Sequence, residues 1–251
     1  MNSARASKYS EKGKVQASML MAELKKTNRL PKYDLPKTIL LYFGLQSSPK
    51  WHRKLEVKSF FGARLELAPA TDIGVLSNFG IGAPAMAFYI ELLVAFGAKV
   101  IMALGQAGAL SAEQKIGDLI LVTKALRDEG TSSHYVPPAE FSFGTERCAG
   151  YLRRMLSKSK IIYKEAPVWS TDALFRETEK EIRQYAQAGL AAVDMETSAL
   201  YAIGHCLKVE TASLLVISDE LWPDQWRSDF SAARKQMQLV AEAIIASRCE
   251  L

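Results

Sequence analysis

Two apolar segments in the second half of the chain each stop abruptly at an acidic residue. One is Val193-Asp194-Met195-Glu196, and the other is Val216-Ile217-Ser218-Asp219. Apolar strands that feed helices build parallel sheets, and such sheets bind ligands at the carboxyl ends of their strands. We therefore predict that Glu196 and Asp219 meet the same ligand. Two carboxyl groups placed there could hold a sugar and protonate its leaving group.

The length and the apolar content of the chain favour one large domain. The chain has 251 residues, of which 49% are hydrophobic, and this is enough to build a sizeable core. Alternating apolar strands and helices predict a single three-layer α/β domain with a central mixed, mostly parallel sheet flanked by helices. We expect residues 31–251 to form this domain and residues 1–30 to form a basic helical N-terminal arm.

Periodicity and turn residues locate the individual elements. The glycines of the segment 105–108 predict a turn between two strands. A polar, proline-containing segment over residues 127–143 predicts a long loop, and such loops in compact domains are usually functional or mobile. The predicted strands are 38–43, 64–67, 73–76, 99–104 and 118–123, and the predicted helices are 85–96, 145–158, 177–188 and a final helix from about residue 230.

Charge, cysteine content and hydropathy favour a cytoplasmic protein that binds a small molecule. The formal net charge is only +5. The chain contains no run of five like charges, which would have indicated nucleic-acid binding. The three cysteines are widely spaced, which fits free thiols in a reducing compartment and gives no metal-ligand spacing. No apolar stretch reaches the length of a membrane span. We therefore expect no nucleic-acid partner, no membrane partner and no metal.

The chain carries several short motifs in a fixed order, namely Gly80-Ile81-Gly82-Ala83-Pro84, Gly105-Gln106-Ala107-Gly108, Lys115-Ile116-Gly117-Asp118, Arg127-Asp128-Glu129-Gly130-Thr131-Ser132, Val193-Asp194-Met195-Glu196 and Ile217-Ser218-Asp219. Together they resemble the nucleoside phosphorylase-I family of uridine and purine nucleoside phosphorylases and related nucleosidases. The resemblance covers about residues 38–245. It implies cleavage of the N-glycosidic bond of a nucleoside, with inorganic phosphate as co-substrate and no other cofactor. It also implies a homodimer or hexamer with shared active sites.

The resemblance and the chemistry of this reaction assign roles to two acids. Cleavage of a ribosyl–base bond passes through an oxocarbenium-like sugar, as in glycoside hydrolysis. Glu196 is expected to accept hydrogen bonds from the 2′ and 3′ hydroxyls, with Met195 packed beside the ribose. The alternative for Glu196 is a first-turn acid that complements the helix dipole. Asp219 is expected to donate a proton to a purine ring nitrogen, and its alternative is a strand-end cap.

Further contacts with the nucleoside follow from the resemblance. Phe175 is expected to stack on the base, although a large aromatic side chain is as often part of a core. His134 lies in the polar loop and is expected to reach a ligand or a neighbouring subunit. The base preference stays open, because Asp219 favours purines whereas residues 169–177 resemble a uridine-phosphorylase-like branch. The other expected substrate contacts are Asp194, Gln106, Ala107, Gly108 and Ser218.

The phosphate side of the expected site departs from the family pattern. Gly44 and Gly105 are expected to hold phosphate through backbone amides, together with the ammonium group of Lys58 or Lys50. The resemblance implies that Lys58 stands where the family has an arginine supplied by a neighbouring subunit. The family's arginine two residues before the Gly105 turn is replaced by Ala103, and its hydroxyl residue is replaced by Gln106. Lysine lacks the bidentate fork of arginine, so phosphate is expected to bind weakly. Three functions stay open: a phosphorylase, which we favour, a phosphate-independent hydrolase, and a nucleoside-binding protein without turnover.

Overall fold

Strands and helices alternate along most of the chain. The structure is a computed structural model, and it describes residues 8–9, 11, 13–43, 51, 55–68, 70–222 and 226–247. The strands are β1 (Thr38–Tyr42), β2 (Glu56–Phe60), β3 (Ala63–Ala68), β4 (Ile73–Ser77), β5 (Val100–Ala109), β6 (Leu119–Asp128), β7 (Phe141–Ser142), β8 (Lys164–Thr171), β9 (Ala192–Asp194), β10 (Glu210–Glu220) and β11 (Arg227–Ser228). The helices are α1 (Ala17–Lys26), α2 (Ala83–Ala95), α3 (Glu146–Lys158), α4 (Glu179–Gln187), α5 (Thr197–Leu207) and α6 (Phe230–Ala246). The predicted α/β class is confirmed.

The strands belong to one mixed sheet, part of which closes on itself. The order is β11-β10-β6-β8-β9-β5-β1-β4-β3-β2, and β7 pairs with β6. Because β10 pairs with both β6 and β5, the strands β10, β6, β8, β9 and β5 form a closed ring. Within the ring, β5–β10, β6–β8 and β8–β9 are parallel pairs, whereas β6–β10 and β5–β9 are antiparallel. Beyond the ring, β1 pairs in parallel with β5 and β4, and antiparallel pairings add β2, β3, β7 and β11. The sheet is therefore central and mixed, as predicted.

Apolar side chains of the central strand β1 enter two separate cores, one on each face of the sheet. In β1, Ile39 and Leu41 pack with residues of α2 and α5, whereas Leu40 and Tyr42 pack with residues of α3 and α6. Alternate residues of a strand point to opposite faces, so a continuously apolar strand is expected where helices cover both faces. The three layers of the fold follow from this double burial.

The segment that begins at Gly105 is part of a strand and not the turn that the sequence predicts. β5 continues through it without a break as far as Ala109. A β-carbon on Gly105 would lie 2.1 Å from the ring of Phe43, and one on Gly108 would lie 3.3 Å from the carboxylate of Asp219. These glycines admit neighbouring side chains to the surface of the strand. The turn prediction is wrong because close approach, and not a change of direction, requires the glycines.

The polar segment after β6 is held by hydrogen bonds to buried groups. Arg127, which still belongs to β6, donates to the Ser132 hydroxyl over 2.9 Å and to the Pro137 carbonyl over 2.8 Å. The buried carboxylate of Glu129 accepts from the backbone N–H of Ser132 and from the hydroxyl of Ser198, both over 2.9 Å. Ser198 lies in the first turn of α5, so its hydrogen bond to Glu129 joins the predicted loop to that helix.

The N-terminal arm contains a helix, as predicted. α1 has no buried residue, and Ala17 at its start packs against the core on the α2 side of the sheet. Residues 1–7, 10 and 12 of the arm lie outside the described residues, and the boundary at residue 30 stays a prediction. In the ranges that the structure describes, no helix is both long and apolar enough to cross a membrane.

A close contact between α5 and β10 fixes the spacing of the two elements that carry the acids. α5 begins directly after Glu196, and β10 ends one residue beyond Asp219. A β-carbon on Gly204 of α5 would lie 2.4 Å from Cγ2 and 3.0 Å from Oγ1 of Thr211 in β10. Any residue with a side chain at position 204 would therefore push the helix away from the strand.

Gly204→Ala is expected to lower the free energy of unfolding by about 1–2 kcal/mol. The 2.4 Å approach places the overpacking cost in the upper part of its usual range, about 2–3 kcal/mol, and the better helix propensity of alanine returns about 1 kcal/mol. Urea denaturation measures the change. Adding Thr211→Ser removes the clashing methyl group and should restore most of the loss. A Gly204→Ala protein with an unchanged urea midpoint would contradict the close contact.

Candidate active site

A cavity of about 520 Å³ opens at the carboxyl ends of β5, β9 and β10. Glu196 and Asp219 both line it, so the two acids share one cavity although they lie on different elements. The volume is within the usual range of small-molecule sites. The other lining residues are Phe43, Ile81, Gln106, Ala107, Gly108, Leu174, Phe175, Glu177, Val193, Asp194, Met195, Ser218, Leu221, Trp226 and Phe230.

The carboxyl group of Glu196 is held by the glycine-rich corner that precedes α2. One oxygen accepts a hydrogen bond from the backbone N–H of Gly82 over 2.6 Å, and the other accepts from that of Met195 over 3.2 Å. Gly82 has a φ of 87°, a conformation that favours glycine. Burial, together with the charge of Asp194, raises the pKa of Glu196 to about 8 in spite of these two donors. Only 4% of the residue is exposed, so Glu196 is a buried acid at the wall of the cavity.

Asp194 lines the same cavity, but its carboxyl group accepts hydrogen bonds from groups inside the protein. One oxygen accepts from the hydroxyl of Ser170, and the other accepts from the backbone N–H of Thr197 over 2.9 Å and from its hydroxyl. Burial raises the pKa of Asp194 even though these donors oppose the shift. The Thr197 hydroxyl lies 3.0 Å from that of Ser213 in β10. Asp194 therefore joins β8, β9 and α5, and it positions Glu196 two residues further on.

Asp219 lies at an irregularity near the end of β10. Pairing with β5 shifts register between Ile217 and Asp219, and such a bulge re-aims the side chains that follow it. One carboxylate oxygen of Asp219 accepts from the Ser218 hydroxyl over 2.7 Å, and the other accepts from the indole N–H of Trp226 over 2.8 Å. Trp226 is a contact that the sequence did not predict, because it depends on the return of the chain to pair with β10 as β11, directly after Trp226.

Glu177 is a fourth cavity acid, and no sequence pattern identified it as a site residue. Burial and then the charges of Asp219 and Glu181 raise the pKa of Glu177 to about 7. In the sequence it resembles a first-turn acid of the predicted helix over 177–188. The helix in fact begins after Thr178, whose side chain forms a capping box with Glu181. The threonine three residues before a glutamate was the signal that Glu177 lies outside the helix.

The part of the cavity beside β5 is apolar apart from one amide. Phe43 lies over Gly105 and separates this glycine from the cavity. The Nε2 atom of Gln106 is buried, and no described residue accepts a hydrogen bond from it. Ala103 is fully buried in β5. No described residue of the cavity wall is a lysine or an arginine.

The expected phosphate ligands are not brought together in the described part of one chain. Gly44 lies outside the described residues, so its role in binding phosphate stays a prediction. Lys58 lies in β2, pairs with Glu56 over 2.5 Å and approaches the ring of Tyr33, with 5.7 Å to its centroid. It is not part of the cavity wall, and β2 is an outer strand of the sheet. It stays a prediction that Lys58 binds phosphate in the active site of a neighbouring subunit.

Aromatic and aliphatic side chains surround the mouth of the cavity. Phe175 is 95% exposed and Trp226 is 62% exposed, so neither is part of the core of this chain. Ile81 and Leu174 are exposed in the same rim. His134 lies elsewhere: it lines a separate cavity with residues of the N-terminal arm, and the ammonium group of Lys8 contacts its ring. The structure therefore does not bring His134 to the acids of the same chain.

Solved structures of other proteins have the same fold. Purine nucleoside phosphorylase from Toxoplasma gondii, in complex with immucillin-H, is similar with a TM-score of 0.74 and 19% identity, over 87% of this chain and 93% of that chain. AMP nucleosidase from Bacteroides thetaiotaomicron is similar with a TM-score of 0.70 and 22% identity, over 91% of this chain and 96% of that chain. At these identities the likeness concerns the fold.

Curated proteins with similar sequences include two phosphorylases. Guanosine phosphorylase from Halorubrum lacusprofundi is 27% identical over 154 residues, which are 60% of this chain and 62% of that protein. The chain thus spans less than two thirds of the length of this relative. A DeoD-type purine nucleoside phosphorylase from Mycoplasma genitalium is 29% identical over 171 residues, which are 64% of this chain and 71% of that protein. The family model described as the phosphorylase superfamily matches residues 68–246, more than half of the chain, and the chain therefore belongs to the phosphorylase superfamily.

Proposed function

We propose that this protein cleaves the N-glycosidic bond of a purine nucleoside and transfers the sugar to phosphate, releasing the free base and ribose 1-phosphate. The observation that carries this proposal is that Glu196 and Asp219 line one cavity large enough for a nucleoside. The names of two similar proteins, guanosine phosphorylase and purine nucleoside phosphorylase, support both the purine and the phosphate.

Glu196 holds the sugar in the proposed reaction. Each of its oxygens accepts one backbone hydrogen bond, so each keeps a lone pair for a hydroxyl group of the ribose. Ribose hydroxyls that donate to this carboxyl group favour its charged form. The charge then lies beside the sugar as positive charge develops on it, and a fixed carboxylate in a water-poor cavity stabilises that charge strongly.

Asp219 acts on the base in the proposed reaction. The hydroxyl of Ser218 and the indole of Trp226 fix the orientation of its carboxyl group. As the C1′–N9 bond breaks, its electron pair moves into the purine ring, and a proton delivered to a ring nitrogen neutralises the departing base. The exposed ring of Phe175 at the mouth of the cavity is suited to stack on the base.

Glu196→Gln is expected to lower kcat for inosine or guanosine by about 10²–10³-fold. Glutamine keeps the shape and can still accept from Gly82, but it cannot place a charge beside the oxocarbenium-like sugar. Base release followed by ultraviolet absorbance measures the effect, and a urea midpoint close to that of the unmodified protein shows that the fold is intact. Near-normal turnover would remove Glu196 from the mechanism. Thermal stabilisation of the unmodified protein by nucleoside without any turnover would instead indicate a binding protein.

A phosphate-independent hydrolase is the second candidate, and the wall beside β5 favours it. Phe43 covers Gly105, Ala103 replaces the family's arginine, and the unpartnered amide of Gln106 could orient a water molecule. Phosphorolysis predicts that base release requires added phosphate and that ribose 1-phosphate forms in equal amount. Hydrolysis predicts that release is indifferent to phosphate and yields free ribose. Both products can be measured in one reaction by chromatography.

We also propose that the active site is completed in a homo-oligomer. The exposed apolar rim of the cavity is suited to burial by a second subunit, and Lys58 on the outer strand β2 is placed to reach a neighbour's site. Lys58→Ala and Glu196→Gln should each be nearly inactive alone. Co-expressed together they should regain activity, because a mixed oligomer contains sites with an intact Glu196 and an intact partner lysine. Failure of the mixture to regain activity would contradict a shared site.

A further inference from the structure

The base side of the cavity contains a carboxyl group that the reaction above does not use. Glu177 lines the cavity between the end of β8 and the start of α4. It precedes Thr178, the residue that caps α4, so it takes no part in the hydrogen bonds of the cap. Over the ranges that the structure describes, no group donates a hydrogen bond to its side chain. A half-buried acid without a structural partner therefore faces the site.

Electrostatic interactions divide the cavity acids into two pairs. Glu196 interacts with Asp194, whereas Glu177 interacts with Asp219 and less strongly with Glu181 of α4. Two like charges at one site disfavour double ionisation, and the repulsion by Asp219 is one cause of the raised pKa of Glu177. This separation places Glu177 on the same side of the ligand as Asp219.

The hydrogen bonds around the base-side pair indicate which member carries the proton. Both oxygens of Asp219 already accept, from Ser218 and from Trp226. Glu177 has no comparable donor among the described residues, and burial is the first cause that raises its pKa to about 7. No described cation of the cavity wall neutralises either group. Burial and the lack of donors therefore favour the protonated form of Glu177, and a group that titrates near the working pH is well suited to general acid catalysis.

We propose that Glu177 and Asp219 form a carboxyl pair that shares one proton and delivers it to the leaving base, with Glu177 as the group that carries the proton. This inference rests on the proposed function. The C1′–N9 bond breaks with its electron pair going to the base, and the proton of the pair forms the new N–H bond on the ring. An oxygen of phosphate forms the new bond to C1′. The proton that phosphate loses as it becomes an ester restores the pair through solvent.

A substrate that needs no proton separates this role from a structural one. A purine nucleoside methylated at N7 already carries a positive charge on its ring and departs as a neutral base. Glu177→Gln should lower kcat/KM for inosine by about 10²-fold at pH 7 and change that for 7-methylinosine by less than about threefold. Asp219→Asn should show the same selectivity. Glu179→Gln, which removes an exposed charge two residues away on α4, is the matched control and should leave both substrates unaffected.

The pH dependence gives a second readout. In the unmodified protein the rate with inosine should fall as pH rises through about 7, because the proton of the pair is lost there. Glu177→Gln removes the group whose pKa is raised to about 7. The alkaline limb of the kcat/KM profile should then move to lower pH, by on the order of one pH unit. Asp194, Glu196 and Glu181 are unchanged in this variant, so the shift reports the loss of Glu177.

The results separate this inference from the proposed function. If the unmodified protein cleaves neither inosine nor 7-methylinosine, the proposed function fails and the inference fails with it. If it cleaves both and Glu177→Gln lowers both rates equally, the function stands and Glu177 is structural, which overturns the inference. A Glu177→Gln protein with normal inosine cleavage and an unshifted pH limb would also overturn it, and selectivity confined to Asp219→Asn would assign the proton to Asp219 alone.

Discussion

The burial of two carboxyl groups at the junction of β9 and α5 is the constraint on which the site depends. A buried carboxyl group is costly unless hydrogen bonds compensate it, and here each acid obtains donors from a different part of the fold. Asp194 draws on β8 and on the first residue of α5, and Glu196 draws on the corner before α2. The same bonds that satisfy the acids therefore fix three elements around the cavity. In this arrangement the stability of the fold and the geometry of the site are set by one network.

Close packing around glycine extends this network to the opposite wall of the cavity. Gly82 adopts a left-handed conformation that directs its N–H towards Glu196. Gly108 leaves space beside β5 for the carboxylate of Asp219, and Gly204 lets α5 approach β10. Gly82 is required by its positive φ, whereas Gly108 and Gly204 are required by the close approach of neighbouring side chains. The three glycines thus help to set the separation of the two walls of the cavity, because a side chain at any of these positions would strain the backbone or displace a packed neighbour.

Much of the architecture could be predicted from the sequence, because continuous apolar strands and capped helices report local burial directly. The segment after Gly105 could not, since a glycine that admits the ring of Phe43 looks the same in sequence as a glycine in a turn. Trp226 was missed for a related reason: its bond to Asp219 depends on a chain reversal whose geometry no local pattern encodes. Glu177 was missed because it lies beside the start of a helix. An acid at such a position is explained by its favourable interaction with the helix dipole and does not by itself indicate a functional site. The acids Glu196 and Asp219 were recognisable because each lies near the carboxyl end of an apolar strand.

The two acid pairs differ in the hydrogen-bond donors that surround them. On the sugar side, Asp194 is enclosed by hydroxyl and amide donors, so the pair is rigid and its partner Glu196 is presented to the cavity in one orientation. On the base side, only Asp219 has donors, and Glu177 lies among apolar rim residues with none among the described groups. A fixed carboxylate is what a developing sugar cation requires, and a carboxyl group with a loosely held proton is what a leaving base requires. In the proposed reaction, the unequal supply of hydrogen-bond donors within one cavity therefore gives chemically identical groups opposite tasks.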